Sequence, residues 1–304
     1  MDINQNSQPK PLTVAWVATA LIASSIEPLV VKLGYKGEAT AYQFLVLKLI
    51  LGGLFIAPIY RQITWIGWQQ FRSILLLSLV FILNYLFIFY SLETITASVL
   101  VTVITTTPAV VAIVNQFRFK EIAGPKFWSG FLLCFLGVML TIDLFGSSTT
   151  LDSYGLMLAF LSVGTSSLYR TRMDLVTREV KPITNSAYIF MINAVVGLCF
   201  FPWVGKVDSY TWQLAAWIGF AGAIANVAFI SALKLIGSTR ISILTVLQRP
   251  LVIVLAALLL KEPLSYVQIA GIVMVLTGVQ LAKVTPKKKV DELVPAPVLA
   301  VQKI

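Results

Sequence analysis

Histidine is missing from this chain, and its 304 residues include only two cysteines, Cys134 and Cys199. Without imidazole there is no histidine-ligated metal, no histidine general base and no Ser-His-Asp triad. No Cys-x-x-Cys pair occurs, and both cysteines lie inside apolar runs, where a small packing residue is the ordinary role. Charge is scarce as well: 12% of residues are Asp, Glu, Lys or Arg, about half the roughly 25% of soluble domains. With 58% hydrophobic residues and a mean hydropathy of +0.88, most of the surface must face lipid rather than water. No GxxxxGK[ST] phosphate loop is present, which argues against direct use of ATP, and nothing in the pattern calls for a cofactor. No basic segment with a cleavage site precedes the first apolar run, so a cleaved signal is not expected.

What is present is a series of apolar segments. Ten of them, each near the ~20 residues that span a bilayer as a helix, are expected at 12–32, 40–60, 72–92, 96–117, 126–145, 153–172, 184–203, 211–233, 239–260 and 265–283. Glycine and proline punctuate the short connections, and the tail from Thr285 is basic, then Pro-rich, and reads as disordered. The net charge of +10 is a topology signal and not a nucleic-acid face. With the amino terminus in the cytoplasm, seventeen of the 23 Lys and Arg residues, Arg170 among them, fall in inner segments and four in outer loops. Lys48 and Arg249 remain within the membrane. This bias puts both termini inside, with anionic lipid headgroups as further partners of the basic loops.

The second half echoes the first about 142 residues later. Asn84 recurs as Asn226, Pro108 as Pro250, and Ser24-Ser25 as Ser166-Ser167; after a one-residue slip, Lys120-Glu121 recurs as Lys261-Glu262, Gly130 as Gly271 and Gly137 as Gly278. Five helices per half is an odd number, so the second half enters the bilayer upside down. The expectation is an all-α membrane protein of ten helices in two inverted repeats, the geometry that builds a central site with two exits in many carriers. The chain divides into a cytoplasmic tail (1–11), a first repeat (12–145), a second repeat (153–283) and a cytoplasmic tail (284–304), with the seam near Gly146 to Asp152.

The stretch YSLETITASVLVTVITTTPAVVAIVNQFRFKEIAGPKFWSGFLLCFLGVML and its partner ALKLIGSTRISILTVLQRPLVIVLAALLLKEPLSYVQIAGIVMVLTGVQL share small residues after a short loop, a mid-helix Pro, a Glu some twelve residues on, and two glycines seven apart. These resemble the drug/metabolite transporter superfamily, specifically the EamA type, from Leu12 to Lys283. The resemblance implies transport, outward being the commoner direction, and a bacterial inner membrane. The family often has Trp-Gly in helix one, where this chain reads Ser24-Ser25-Ile26-Glu27-Pro28, and Glu-Pro in helix nine, where it reads Arg249-Pro250.

Charges at bilayer depth cost several kcal/mol, ~2.5 or more even on the gentlest scale, and usually face a cavity. Glu27 is such a residue, with Pro28 disfavouring helical geometry behind it; it reads as a proton-titrating or amine-binding group, or else as a side chain reaching the outer interface. Arg249 shares a helical face with Ser242 and Thr245, beside a carbonyl freed by Pro250, and reads as an anchor for an anion or as half of a structural ion pair. Glu27 and Arg249 are expected to offset each other across one cavity. Lys48 shares the cavity or tethers the helices. Asn84 and Asn226 line the cavity or join helices. A polar stripe of Ser98, Thr102 and Thr105 runs beside Pro108, and another of Ser162, Thr165, Ser166 and Tyr169 runs along helix six. Pro28, Pro108 and Pro250 are candidate hinges. Tyr42, Phe44, Tyr85 and Tyr188 face either a cavity or lipid, and Trp65, Trp68, Trp203, Trp212 and Trp217 read as interface anchors.

The reading is a secondary carrier of a small polar metabolite, such as an amino acid or organic anion, driven by exchange or proton coupling. The alternative is a membrane-embedded enzyme or a scaffold without transport. An enzyme needs a nucleophile-base pair, paired carboxylates or a metal cluster at depth, and the sequence offers none of these.

Overall fold

The computed structural model describes residues 11–37, 39–95, 100, 103–119, 123–141, 152–251 and 266–282, and the regular structure among them is entirely helical. In chain order the helices are α1 (Pro11–Lys36), α2 (Ala41–Ile56), α3 (Trp68–Thr94), α4 (Thr107–Phe119), α5 (Pro125–Thr141), α6 (Ser153–Glu179), α7 (Pro182–Phe200), α8 (Ser209–Ile236), α9 (Ser238–Leu244) and α10 (Tyr266–Leu281). Among the described residues, four stretches are long and apolar enough to cross a membrane: Ala41–Arg61, Trp68–Thr94, Pro182–Trp203 and Ser209–Ile236.

Local chemistry sets the ends. Thr40 and Gln43 form a capping box that starts α2, which satisfies two of the amide donors a helix start leaves open. Asp152 caps α6 at the Gly155 amide. Asp208 caps α8 by accepting from the Tyr210 and Thr211 amides; hydrogen bonds from Thr211 hold this carboxyl below its ordinary range. The α8 helix stops at Gly237, whose φ of 78° is a conformation glycine adopts without penalty. Trp65, Trp68, Trp203, Trp212 and Trp217 are all exposed, four of them at or near helix ends; Trp217 lies well inside α8.

α1 continues through Pro28 from Pro11 to Lys36, as the expected segment 12–32 does. Two expectations change on inspection. Helix four is not continuous from 96, because a turn at Thr105–Thr106 precedes α4 and puts Pro108 in its first turn; proline is tolerated there because first-turn amides lack a helical acceptor. Helix nine changes pitch, with α9 giving way to a 3-10 turn at Thr245–Leu247 before helical geometry resumes through 251. The Lys-Glu echoes, Ser98, Thr102 and most of the seam lie outside the described residues.

The halves pack by a repeating rule. α1 lies on α8 and α3 on α6, α4 meets α9, and α5 meets α10. Exchanging the halves maps α1·α8 onto α6·α3 and maps the other two pairs onto themselves. The α5·α10 crossing is built on glycine. A Cβ added at Gly130 would stand 2.5 Å from the Gly278 carbonyl oxygen, and one at Gly137 would stand 2.8 Å from the Gly271 oxygen. The glycines seven apart in each copy thus meet in opposite order, so α5 and α10 run antiparallel. Small residues let helix backbones come this close, and buried Cys134 fills the space beside Gly278.

Gly164 is different: nothing lies within 4 Å of a Cβ added there, inside α6. Gly164→Ala should therefore be accepted and should raise stability by roughly 0.5–1 kcal/mol, since alanine loses less backbone entropy on forming a helix. A melting curve of the detergent-purified protein checks this; a lowered midpoint contradicts it.

Candidate functional site

A cavity of about 240 Å³ lies between the two halves. α1, α3, the segment around Pro108, α6, α8 and the α9 region all contribute to its wall. Of the residues singled out in the sequence, Glu27, Asn84, Thr105, Pro108, Ser166, Tyr169, Asn226, Thr245 and Arg249 line it. Lys48, Ser242 and Pro250 are buried just outside the lining set. Of the four aromatic candidates only Tyr85 lines the cavity. Tyr42 donates to the Phe200 carbonyl, Phe44 packs against Gly34 and Tyr35, and Tyr188 joins a core cluster beside Phe71.

The charges are arranged differently from the sequence expectation. Glu27 on α1 pairs with Lys48 on α2 in a hydrogen-bonded ion pair. No hydrogen bond or ion pair joins Glu27 to Arg249, so the expected offset between those two is replaced by a neighbour on α2. The reason is geometric. Lys48 is 1% exposed, its ammonium stands 3.2 Å from the centroid of the Tyr85 ring, and Gly222 on α8 leaves open the space beside it. A cation over an aromatic face is favourable, but a buried ammonium still needs an anion, and Glu27 is within reach.

Arg170 is the residue the sequence reading misplaced. Counted there as an inner-segment charge, it lines the cavity. α6 runs on to Glu179, so Arg170 lies about two-thirds of the way along a helix of roughly 40 Å (at 1.5 Å per residue). Its guanidinium donates to Thr245 Oγ1 at 2.9 Å, Ser242 Oγ at 3.3 Å and Ser166 Oγ at 3.4 Å, and it stands 5.2 Å from the Phe229 ring centroid. The hydroxyls that seemed to accompany Arg249 therefore hold Arg170. The signal was legible in outline, since Ser166 and Arg170 are four residues apart and share a face.

The asparagines do both things proposed for them. Asn84 lines the cavity while donating to the Ser162 carbonyl at 2.7 Å and to Thr165 Oγ1 at 3.0 Å. Asn226 lines it while donating to the Tyr169 hydroxyl at 3.1 Å.

Side chains take up carbonyls four residues before two of the prolines. Pro28 has no N–H, so the Ser24 carbonyl loses its helical donor. Gln248 supplies one at 2.7 Å, tying the second half to α1. The Ile104 carbonyl, before the start of α4, accepts from the Thr107 hydroxyl at 2.6 Å. Gln248→Leu should strand the Ser24 carbonyl and lower stability by about 1 kcal/mol. Gln248→Glu, which keeps the length but loses the amide donor, should cost at least as much. Melting curves of both variants test this, and wild-type stability in either one contradicts it.

A helical membrane protein in two related halves, around a cavity whose largely apolar wall carries charged side chains, is the class these features define. The EamA-like transporter family matches residues 11–143 and 153–283, and the chain belongs to it; it is an integral membrane protein of a transport family. A solved structure described only as that of a protein shares the fold, with a TM-score of 0.73 over 89% of this chain and 96% of the other at 16% identity. No curated protein matches the chain.

Proposed function

We propose that this protein is a secondary carrier that moves a small polar metabolite bearing negative charge, an amino acid or organic anion, by alternating access. Ten membrane spans in two inverted five-helix repeats (12–145 and 153–283) form the scaffold, with both termini in the cytoplasm of a bacterial inner membrane. The antiparallel α5·α10 crossing supports the inversion, because two copies inserted the same way up would set these helices parallel. Outward movement is the direction the family resemblance implies.

The observation that carries the reading is the cavity between halves, walled by both and lined by Glu27, Arg170 and Arg249. Each such charge at bilayer depth costs about 2.5 kcal/mol or more, a cost that a purely structural helix bundle avoids with apolar residues. In this reading Arg170 and Arg249 bind the substrate's anionic group, Asn84, Asn226, Thr105 and Tyr169 supply neutral hydrogen-bonding groups, and Ser166, Ser242 and Thr245 hold the Arg170 guanidinium in place. Pro28, Pro108 and Pro250 mark positions where the helical ladder is already interrupted and where rearrangement costs fewer backbone hydrogen bonds. Exchange against a second solute or proton coupling supplies the energy.

The test is transport into proteoliposomes from a panel of labelled amino acids and organic acids, with and without a pH gradient. Wild-type protein should accumulate at least one of them. Arg249→Gln should cut that flux by about tenfold or more, the loss of one charge-assisted contact, while remaining monodisperse. Turnover of a solute without its crossing the membrane would instead indicate an enzyme.

A further inference from the structure

We infer that the substrate of this site is a small organic dianion, one negative charge to each of Arg170 and Arg249; the inference rests on the carrier reading above. It begins from the charges around the cavity. Among the described residues, Glu27, Arg170 and Arg249 are the carboxylate and guanidinium groups lining it. Glu27 is already paired with Lys48, and those two charges cancel. The hydrogen bonds from Arg170 go to three hydroxyls, all neutral. The nearest acid along the same helix, Asp174, accepts a hydrogen bond from Ser238 and is not part of the cavity wall. Two guanidiniums, each permanently charged, therefore face one cavity with no anion among the described residues to balance them.

A monoanion or a zwitterion would leave this site with net positive charge in a low-dielectric surrounding, whereas a dianion would neutralise it. Guanidinium suits both candidate headgroups, since its planar fork binds carboxylate or phosphate oxygens in pairs. The volume of about 240 Å³ sits below the ~300–1,000 Å³ of drug-sized pockets, so the ligand is small. The arginines leave their hydroxyl and aromatic neighbours, Thr105, Tyr85 and Phe229 among them, to contact its carbon frame. The shared chemistry is a short dicarboxylate or a phosphate monoester.

Binding to the detergent-purified full chain tests this with four probes: succinate, glycerol 3-phosphate, butyrate and 4-aminobutyrate. Succinate and butyrate share a four-carbon chain, so their difference isolates the second charge. At least one dianion should bind about tenfold more tightly than butyrate and 4-aminobutyrate, and the one preferred identifies the headgroup. Arg170→Gln and Arg249→Gln should each erase that margin. Butyrate binding as well as succinate and glycerol 3-phosphate, or no probe binding at all, overturns the inference from the wild type alone, whatever the variants do. A dianion preference that survives in both folded variants overturns it too. Flux of the same probes through proteoliposomes separates the two readings. If 4-aminobutyrate crosses and neither dianion binds, the carrier stands and the dianion falls. If a dianion binds yet is never translocated, the site stands and the carrier falls.

Discussion

Lys48→Met should be among the most damaging single substitutions in this protein, lowering stability by about 3 kcal/mol. Methionine fills much of the lysine's volume, so packing against Tyr85 and Gly222 is largely kept and the lost charge dominates. The substitution strands Glu27, which is 12% exposed, beside an apolar wall. Removing one partner of a buried pair costs roughly 3–5 kcal/mol, and replacing both with neutral groups of similar shape is often close to neutral. Glu27 borders the cavity and keeps some exposure to it, which places the expected loss at the lower end of that range. The double variant Glu27→Gln with Lys48→Met should recover most of the stability. Thermal unfolding in detergent, run on both singles and the double, gives the coupling directly. Additive losses in the double variant would show that each side chain is held by something other than the other. Glu27→Gln should rescue Lys48→Met and should not rescue Arg249→Gln, whereas the Glu27–Arg249 pair expected from sequence would give the reverse.

Gly278→Val should be comparably severe, for a steric reason. A Cβ at this position would lie 2.7 Å from the Cys134 amide nitrogen and 2.7 Å from the Gly130 carbonyl oxygen. Both are backbone atoms of α5, so no side chain can turn aside to make room. The two helices must separate, and with them the contact that joins the ends of the two halves. Overpacking typically costs about 1–3 kcal/mol, and a clash with backbone belongs at the upper end or above it. Gly278→Ala should already be harmful, and Gly164→Ala, in an open position, serves as the tolerated control. Expression level, monodispersity in detergent and melting temperature read the series. A Gly278→Val protein as stable as wild type would mean that α5 and α10 do not cross where the glycines meet.

The helices themselves were legible in the sequence because their cause is local. Apolar runs of bilayer length, ended by Gly, Pro and capping residues, specify helix positions without reference to any partner, and the described helices begin and end close to the expected segments. Where the expectation slipped, the missing information was about neighbours. α1 runs through Pro28 as expected, but the sequence carries no sign that the carbonyl it frees finds Gln248 more than two hundred residues away in the chain. α6 reads as ending near residue 172 and in fact runs to Glu179, which turns Arg170 from a loop charge into a wall of the cavity.

The sequence by itself determined that this is a membrane protein of helices in two related halves, and it named most of the polar residues that gather around the cavity. Composition and the recurrence of Asn84, Pro108 and the paired glycines are properties of the linear chain, so they could be read there. Only the tertiary structure decided who pairs with whom: Lys48 with Glu27, and the Ser166, Ser242 and Thr245 hydroxyls with Arg170, not Arg249. Ion pairs and hydrogen bonds act over a few ångströms between side chains on different helices. The rotation and depth of each helix, settled by packing against all its neighbours at once, choose among partners that the sequence presents as equals.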